Sequence, residues 1–367
     1  MIHYLLYRGL LQSADIVSGA PVVYNEGRRN RNFRVSHNGG GRLFVKQVPG
    51  VFTETTSSIF REATCNDLAH THPAFGALKP YVPMLLDYDH ERHVVTNICL
   101  PPSSDLNAFH VRARSFRSDV AAVFGRALGE IHSIPIDPDA EYAQAFPGIV
   151  PWILTIPQDA EKVFHNMNPS TRSLVTLIRS NPVLVMGLTT LNATWRTEAL
   201  IHGDIKWDNF LVFDTAAAPL SAPDIRIVDW ELADVGDAAW DIGCAIACYL
   251  QHWLVTMVAD NSPLGTADLL KQAPYQLSDT WPAIQALWTS YSSARSLSPS
   301  LEVRERDRAL QFCAARLVLT AFEITMRLPD LSRTTQLCLE MATTIFGHPE
   351  YAFTAVFGFP RVKGRVA

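Results

Sequence analysis

The sequence has few cysteines and none of the marks of a secreted or membrane-spanning chain. Its six cysteines include no Cys-x-x-Cys pair, which argues against a zinc site or a disulfide framework. No apolar run reaches the roughly 18 residues of a membrane span. The first 19 residues lack the basic and apolar segments of a signal peptide. These absences predict a cytoplasmic protein that works without a membrane.

An excess of basic residues is also absent. The formal net charge is −5, and 18% of the residues are charged. Proteins that bind nucleic acids generally present a strongly basic face. The charge balance therefore predicts no nucleic-acid partner, and nothing in the sequence indicates the oligomeric state.

The sequence contains enough apolar residues to form the cores of two lobes. The chain has 367 residues, 48% of them hydrophobic, and it shows no internal repeat. Residues 1–100 predict a small antiparallel sheet with one helix at 53–70, and Pro101-Pro102 marks a break. Residues 101–367 predict a mainly helical lobe, with helices at 118–132 and 305–327. The predicted strands are 21–24, 32–36, 43–48, 82–86, 93–100, 199–201, 210–213 and 225–228.

One constellation carries the chemistry. The segment His202-Gly-Asp-Ile-Lys-Trp-Asp-Asn209 is followed by an apolar strand that ends at Asp229. Phosphoryl transfer needs oxygen ligands for Mg²⁺ and a group that aims the attacking hydroxyl. In this order Asp204 would orient a hydroxyl and accept its proton, and Asn209 and Asp229 would hold the metal. The pattern therefore indicates a phosphotransferase.

These motifs resemble the aminoglycoside phosphotransferase and choline-kinase-like family. The resemblance implies an α+β, bilobal protein-kinase-like fold that uses Mg²⁺ and ATP, with GTP as the alternative. It places the nucleotide in the lobe of residues 1–100, and the catalytic loop and acceptor site in residues 101–367. The element Val235 to Gly243 is similar to the family's downstream motif, in which Asp241 would brace the catalytic loop. The family also implies that His202 is a packing residue.

The resemblance extends into the first lobe. Lys46 matches the strand lysine that reaches the inner phosphates, and Glu62 on the predicted helix is its expected ion-pair partner. Asn30 belongs to the Gly-x-x-Asn run that resembles the family's nucleotide loop. Asn97 to Cys99 falls where the hinge would offer backbone groups to adenine.

The acceptor stays open between a small molecule and a peptide. Lys206 is similar to the catalytic-loop lysine of serine/threonine protein kinases, so Ser or Thr of a precursor peptide is the alternative to a small-molecule hydroxyl. A nucleotide-binding pseudokinase is a further alternative, and Glu231 is a candidate metal or water ligand. Five acidic residues could bind a polycationic aminoglycoside or simply face solvent: Asp137, Asp139, Glu141, Asp159 and Glu161.

Overall fold

The computed structural model describes most of the chain. The described residues are 1–17, 19, 21–26, 31–36, 42–48, 53–163, 167–213, 223–257 and 266–360. Residues 37–41, between the predicted strands 32–36 and 43–48, lie outside them.

The small lobe is an antiparallel sheet with helices on both faces. Its strands follow the order β1-β2-β3-β5-β4, and every neighbouring pair is antiparallel. The predicted helix and strands are confirmed within a few residues, whereas α1 and α2 were not predicted. The elements are α1 (Ile2–Tyr7), α2 (Ser13–Val17), β1 (Val22–Asn25), β2 (Arg31–Ser36), β3 (Arg42–Gln47), α3 (Thr53–Thr71), β4 (Leu85–Asp89) and β5 (Val94–Ile98).

Strand β3 separates two apolar layers. Successive side chains of a strand point to opposite faces, so Val45 and Lys46 face different layers. Val45 packs in a cluster with Leu5 of α1, and α3 contributes Ile59 to the cluster on the other side of the sheet. This alternation turns Lys46 toward α3.

The large lobe is mainly helical, as predicted. Two small antiparallel sheets, β10-β7 and β6-β8-β9, interrupt the helices. Among the described residues, no single helix is long and apolar enough to cross a bilayer. The elements are β6 (Ser104–Asp105), α4 (Leu106–Ala113), α5 (Ser118–Ile131), α6 (Ile156–Val163), α7 (Pro169–Ser180), α8 (Pro182–Ala193), β7 (Ala199–Ile201), β8 (Phe210–Phe213), β9 (Asp224–Ile227), β10 (Asp234–Gly236), α9 (Ala238–Met257), α10 (Thr266–Gln272), α11 (Trp281–Ala294), α12 (Pro299–Thr325), α13 (Arg333–Gly347) and α14 (Pro349–Ala355).

The apolar core of the large lobe continues into the chain before residue 100. Leu68 of α3, Phe75 and Tyr81 belong to the same buried cluster as the large-lobe helices. The Tyr81 carbonyl accepts a hydrogen bond from the Ile227 N–H at 2.7 Å, and the Tyr81 hydroxyl donates to Glu130 at 2.6 Å. The lobes are therefore joined by shared packing as well as by the segment near residue 100.

Candidate active site

The catalytic loop connects β7 to β8. Its residues 202–209 begin after Ile201, the last residue of β7, and end where β8 starts at Phe210. Strand β8 pairs with β9, which leads directly to Asp229. The Val228 N–H donates to the Asn209 carbonyl at 3.0 Å. The two segments singled out by the sequence are thus neighbours in space.

Asp204 is held by two side chains of its own loop. Lys206 Nζ lies 2.5 Å from Asp204 Oδ2, and Asn209 Nδ2 donates to the same oxygen at 3.3 Å and to the Asp204 carbonyl at 3.0 Å. Burial lowers the pKa of Lys206, but Asp204 outweighs it and the net pKa is raised. Lys206 therefore stays protonated beside the carboxylate.

Asp241 of α9 stabilises this loop by accepting hydrogen bonds from its backbone. Its carboxylate accepts the backbone N–H of His202 at 2.6 Å and that of Gly203 at 3.1 Å. His132 Nε2 lies 3.3 Å from the same carboxylate, and Asp241 is fully buried. Hydrogen bonds to a buried carboxylate are among the strong ones. The predicted bracing by Asp241 is confirmed.

Aromatic residues pack around the loop. His202 is buried, with its ring centroid 4.7 Å from that of Trp230. Trp240 Nε1 donates to the Gly203 carbonyl at 3.1 Å, and Trp207 is buried too. His202 is therefore a packing residue in this structure.

Lys46 lies at the centre of three carboxylates. Its Nζ is 2.7 Å from Glu62 of α3, 2.5 Å from Asp229 and 2.9 Å from Glu231. Burial alone would lower the pKa of Lys46, but these carboxylates outweigh it and the pKa is raised. The lysine is thus a fixed positive charge that joins the small lobe to the segment after β9.

Asp229 adopts an uncommon backbone conformation. Its φ of 69° and ψ of 53° lie in the left-handed region, which few residues other than glycine occupy. Such strain is often retained at functional sites. Burial raises the pKa of Asp229, but Lys46 outweighs it and holds the pKa below its usual value. Asp229 is therefore an ionised, oriented carboxylate.

The oxygen donors at this point fit a hard divalent cation. One carboxylate oxygen each from Glu62, Asp229 and Glu231 lies within 4.8 Å of the others, and Lys46 Nζ contacts all three residues. Asn209 uses its amide nitrogen to bind Asp204, which leaves its Oδ1 without a hydrogen-bond donor among the described residues. Mg²⁺ prefers oxygen ligands of these kinds.

At the predicted hinge, one backbone donor is already paired within the sheet. The Cys99 N–H donates to the Arg42 carbonyl at 2.9 Å, so this donor is already used within the sheet. The Asn97 side chain is buried and accepts from Asn66 Nδ2 at 3.3 Å. The Cys99 N–H is therefore not open to adenine in this structure, and adenine contacts by the other backbone groups of residues 97–99 stay a prediction. Asn30 lies outside the described residues.

A buried charged pair within α12 was missed from the sequence. Arg316 of α12 is buried and donates to Glu323 Oε2 from both terminal nitrogens, each at 3.1 Å. The sequence signal for this pair was an arginine in an otherwise apolar helical stretch. Arginine is rarely fully buried without a partner, so a buried Arg316 indicates an acidic neighbour.

Comparisons with known proteins agree with this geometry. The model of the phosphotransferase enzyme family matches residues 22–268. A choline/ethanolamine kinase family protein from Mesorhizobium loti has a similar structure, with 16% identity, 93% of each chain covered and a TM-score of 0.52. Aminoglycoside 2'-phosphotransferase-IIIa in its GDP complex is also similar, with 16% identity, 94% of this chain and 98% of that chain covered, and a TM-score of 0.51. No curated protein matches by sequence.

The family model spans more than half of the chain, and both solved structures share its two-lobed architecture. The chain therefore belongs to the phosphotransferase enzyme family, has the protein-kinase-like fold, and is a phosphotransferase with a hydroxyl acceptor.

Proposed function

We propose that the protein transfers the γ-phosphoryl group of ATP to a hydroxyl of a small molecule, with GTP as the alternative donor. The observation that carries the proposal is the convergence of Lys46, Asp229 and Asp204 from both lobes. Lys46 contacts Asp229 directly, and Asn209 links Asp229's strand to Asp204. A cation, metal-binding oxygens and a proton acceptor thus meet between the lobes.

In the proposed reaction, the acceptor hydroxyl donates a hydrogen bond to Asp204. Lys206 and Asn209 hold the Asp204 carboxylate in place. As the hydroxyl oxygen forms a bond to the γ-phosphorus, its proton passes to Asp204 and the bond to the β-phosphate oxygen breaks. The products are the phosphorylated acceptor and a nucleoside diphosphate.

Asn209 and Asp229 are the proposed Mg²⁺ ligands, with Glu231 as a further one. Mg²⁺ held by these residues would neutralise charge that develops during transfer. Lys46 would contact the phosphates, and Glu62 would keep it in position because the two form a buried ion pair. Asn30, Asn97 and the carbonyl of Cys99 remain proposed contacts of the nucleotide.

A thermal-shift titration tests this proposal. Wild type, Asp229→Ala and Asp224→Ala are titrated with ATP and with GTP, each with and without Mg²⁺. A nucleotide at a hundred times its Kd stabilises the folded state by about 2.7 kcal/mol. We expect a Mg²⁺-dependent shift in wild type that Asp229→Ala abolishes.

Asp224→Ala is the matched control because Asp224 is an exposed aspartate at the start of β9, the strand that leads to Asp229. It should retain the shift. If wild type shows no shift with either nucleotide, the phosphotransferase proposal fails and the pseudokinase alternative loses its nucleotide as well. Binding without any phosphorylated product would favour the pseudokinase, and phosphoserine in an acceptor peptide would favour the peptide substrate.

A further inference from the structure

A buried chain of side chains connects Asp241 to helix α11. His132, the residue after α5, has its ring Nε2 3.3 Å from Asp241 Oδ2 and its Nδ1 3.1 Å from the Tyr291 hydroxyl. The same hydroxyl oxygen accepts a hydrogen bond from Arg295 at 3.2 Å. His132, Tyr291 and Asp241 are each at most 3% exposed. The hydrogen bonds therefore run from Arg295 on α11 to the carboxylate that holds the catalytic loop.

Two glycines of α5 allow the close helix packing that brings these groups together. Gly125 and Gly129 are four residues apart, so they lie on the same face of the helix. A Cβ atom at Gly129 would be 2.8 Å from the Tyr291 carbonyl oxygen. One at Gly125 would overlap the carbonyl of Leu287, one turn earlier on α11. Helix α11 can therefore come this close to α5, and place Tyr291 beside His132, only because α5 has no side chains at the contact.

The contacts of this chain determine which ring nitrogen of His132 carries the hydrogen. A carboxylate oxygen only accepts hydrogen bonds, so His132 Nε2 must donate to Asp241. In a neutral imidazole the other nitrogen, Nδ1, is then the acceptor for the Tyr291 hydroxyl. Burial raises the pKa of Tyr291, although Arg295 opposes the shift, so the hydroxyl keeps its hydrogen. Each hydrogen that links two members of the chain thus has an acceptor.

The other protonation states of His132 fit these contacts less well. If both ring nitrogens carried hydrogen, His132 and Arg295 would both donate to the Tyr291 oxygen. The hydroxyl's own hydrogen would then have no acceptor among the described residues, and a buried donor without an acceptor costs free energy. With hydrogen on Nδ1 alone, the lone pairs of Nε2 and Asp241 Oδ2 would face each other. The contacts therefore select the neutral ring with hydrogen on Nε2.

We propose that Tyr291 is a positioning residue for the catalytic loop and that it acts through His132. Its hydroxyl holds the His132 ring, through Nδ1, in the orientation in which Nε2–H is donated to Asp241. Asp241 in turn accepts the backbone N–H groups of residues 202 and 203, directly before Asp204. Without the hydroxyl, the ring would be free to rotate and Asp241 would hold the loop less firmly. The inference rests on the proposed function for the role of Asp204 in the reaction.

The first test is ¹⁵N NMR of the histidine side chains in the full chain, which needs neither nucleotide nor acceptor. The chain has 12 histidines, and the resonances of His132 are those missing from the spectrum of His132→Gln. In wild type we expect hydrogen on Nε2 of His132 and none on Nδ1. In Tyr291→Phe the Nδ1 resonance should shift, because this nitrogen loses its hydrogen-bond donor. Hydrogen on Nδ1 in wild type, or an unchanged Nδ1 resonance in Tyr291→Phe, would overturn the inference.

Hydrogen–deuterium exchange then reports on the catalytic loop itself. We expect Tyr291→Phe to speed exchange of the amides of residues 202 and 203 about 2- to 10-fold, the usual net contribution of one hydrogen bond. Tyr249→Phe is the matched control, because Tyr249 is equally buried and its ring centroid lies 5.0 Å from that of Trp207 in the loop. Its hydroxyl has no partner among the described residues, so exchange should stay as in wild type. Equal exchange in the two variants would overturn the inference.

Turnover separates positioning of the loop from binding of the nucleotide. With Mg²⁺, ATP and water as the hydroxyl acceptor, Tyr291→Phe should lower kcat about 2- to 10-fold. The KM for ATP should not change, since Tyr291 contacts neither Lys46 nor Asp229. In His132→Gln, whose amide can still donate to Asp241, adding Tyr291→Phe should have no further effect, because Tyr291 acts through His132. Additive losses of kcat in the double variant would overturn the inference.

These outcomes are separate from those of the nucleotide titration. If wild type shows the Mg²⁺-dependent nucleotide shift but Tyr291→Phe behaves like Tyr249→Phe, the proposed function stands and the role of Tyr291 is overturned. A wild type without the nucleotide shift would overturn the proposed function. The NMR and exchange measurements would still decide whether Tyr291 positions the loop, because both are made without nucleotide.

Discussion

At the scale of single residues, the proposed chemistry depends on a carboxylate held by a cation. Asp204 Oδ2 receives both Lys206 Nζ and Asn209 Nδ2, so the side chain cannot rotate freely. Preorganisation of this kind matters because a displacement of 1 Å can cost about 100-fold in rate. The loop therefore fixes the proton acceptor before any acceptor molecule arrives.

Replacing this carboxylate by an amide tests its role. We expect Asp204→Asn to lower kcat by about 10²- to 10⁴-fold, because proton acceptance by a positioned side chain contributes that much. The Mg²⁺-dependent nucleotide shift should persist, since Asp204 does not contact Lys46 or Asp229 among the described residues. Steady-state kinetics and thermal-shift titration measure the two effects. Asp224→Asn is the control, and full turnover in Asp204→Asn would contradict the assignment.

At the scale of elements, the catalytic loop and the segment after Asp229 approach each other at one glycine. Gly203 has φ of +78°, and a Cβ atom there would lie 2.3 Å from the Leu232 carbonyl oxygen. Real Cβ atoms essentially never come so close to a backbone oxygen. The loop can therefore occupy this position only with glycine at residue 203.

A methyl group at this position should separate the two segments. We expect Gly203→Ala to destabilise the fold by more than the ~1–2 kcal/mol cost of a left-handed conformation alone, and to reduce activity. Gly9→Ala is the matched control, because Gly9 has φ of +70° and nothing within 4 Å of the added atom. Urea denaturation compares the two variants. Equal destabilisation would mean that the close approach to Leu232 carries no cost.

The sequence predicted the helices and strands well where local residue patterns determine the secondary structure. The strands at 199–201 and 210–213 are confirmed to the residue, and the helix at 53–70 ends one residue later. Helix α1 was missed because it is short and lies before the first strand, and packing of Leu5 on the sheet stabilises it. Tertiary contacts of this kind leave no local signal.

For the candidate site too, the sequence predicted what depends on motif spacing and missed what depends on tertiary contacts. Motif spacing placed Asp204, Asn209 and Asp229 in neighbouring segments, because a strand pair brings the two motifs together. Spacing could not reveal that the Cys99 N–H is used by Arg42, since that depends on the register of β3 against β5.

At the scale of the whole molecule, a buried histidine behind the catalytic loop couples stability to pH. His110 of α4 is 1% exposed, and its ring centroid lies 4.7 Å from that of Trp207. Burial lowers its pKa to about 4, although a hydrogen bond to the Ser115 carbonyl opposes the shift. The folded state therefore favours the neutral imidazole.

Acid should consequently destabilise the protein through His110. The unfolded chain takes up this proton near pH 6.5 and the folded chain only near 4, so the contribution of His110 is fully present above pH 6.5. It is lost as the pH falls toward 4, by up to about 3 kcal/mol. Urea denaturation between pH 4 and 7.5 measures this slope. His110→Phe should flatten it, exposed His3→Phe should not, and an unchanged slope in His110→Phe would contradict the prediction.

The packing of Phe75 and Tyr81 against the large lobe limits how the two halves of the gene can be recombined. A fragment ending at Leu100 would carry these aromatic rings into water without the helices that cover them, and the fragment from Pro101 would lose the same contacts. Neither half is then autonomous, and the protein should melt in one transition. A chimaera that takes its nucleotide half from a relative must also inherit the surface of α5 and β9 on which residues 75–82 rest.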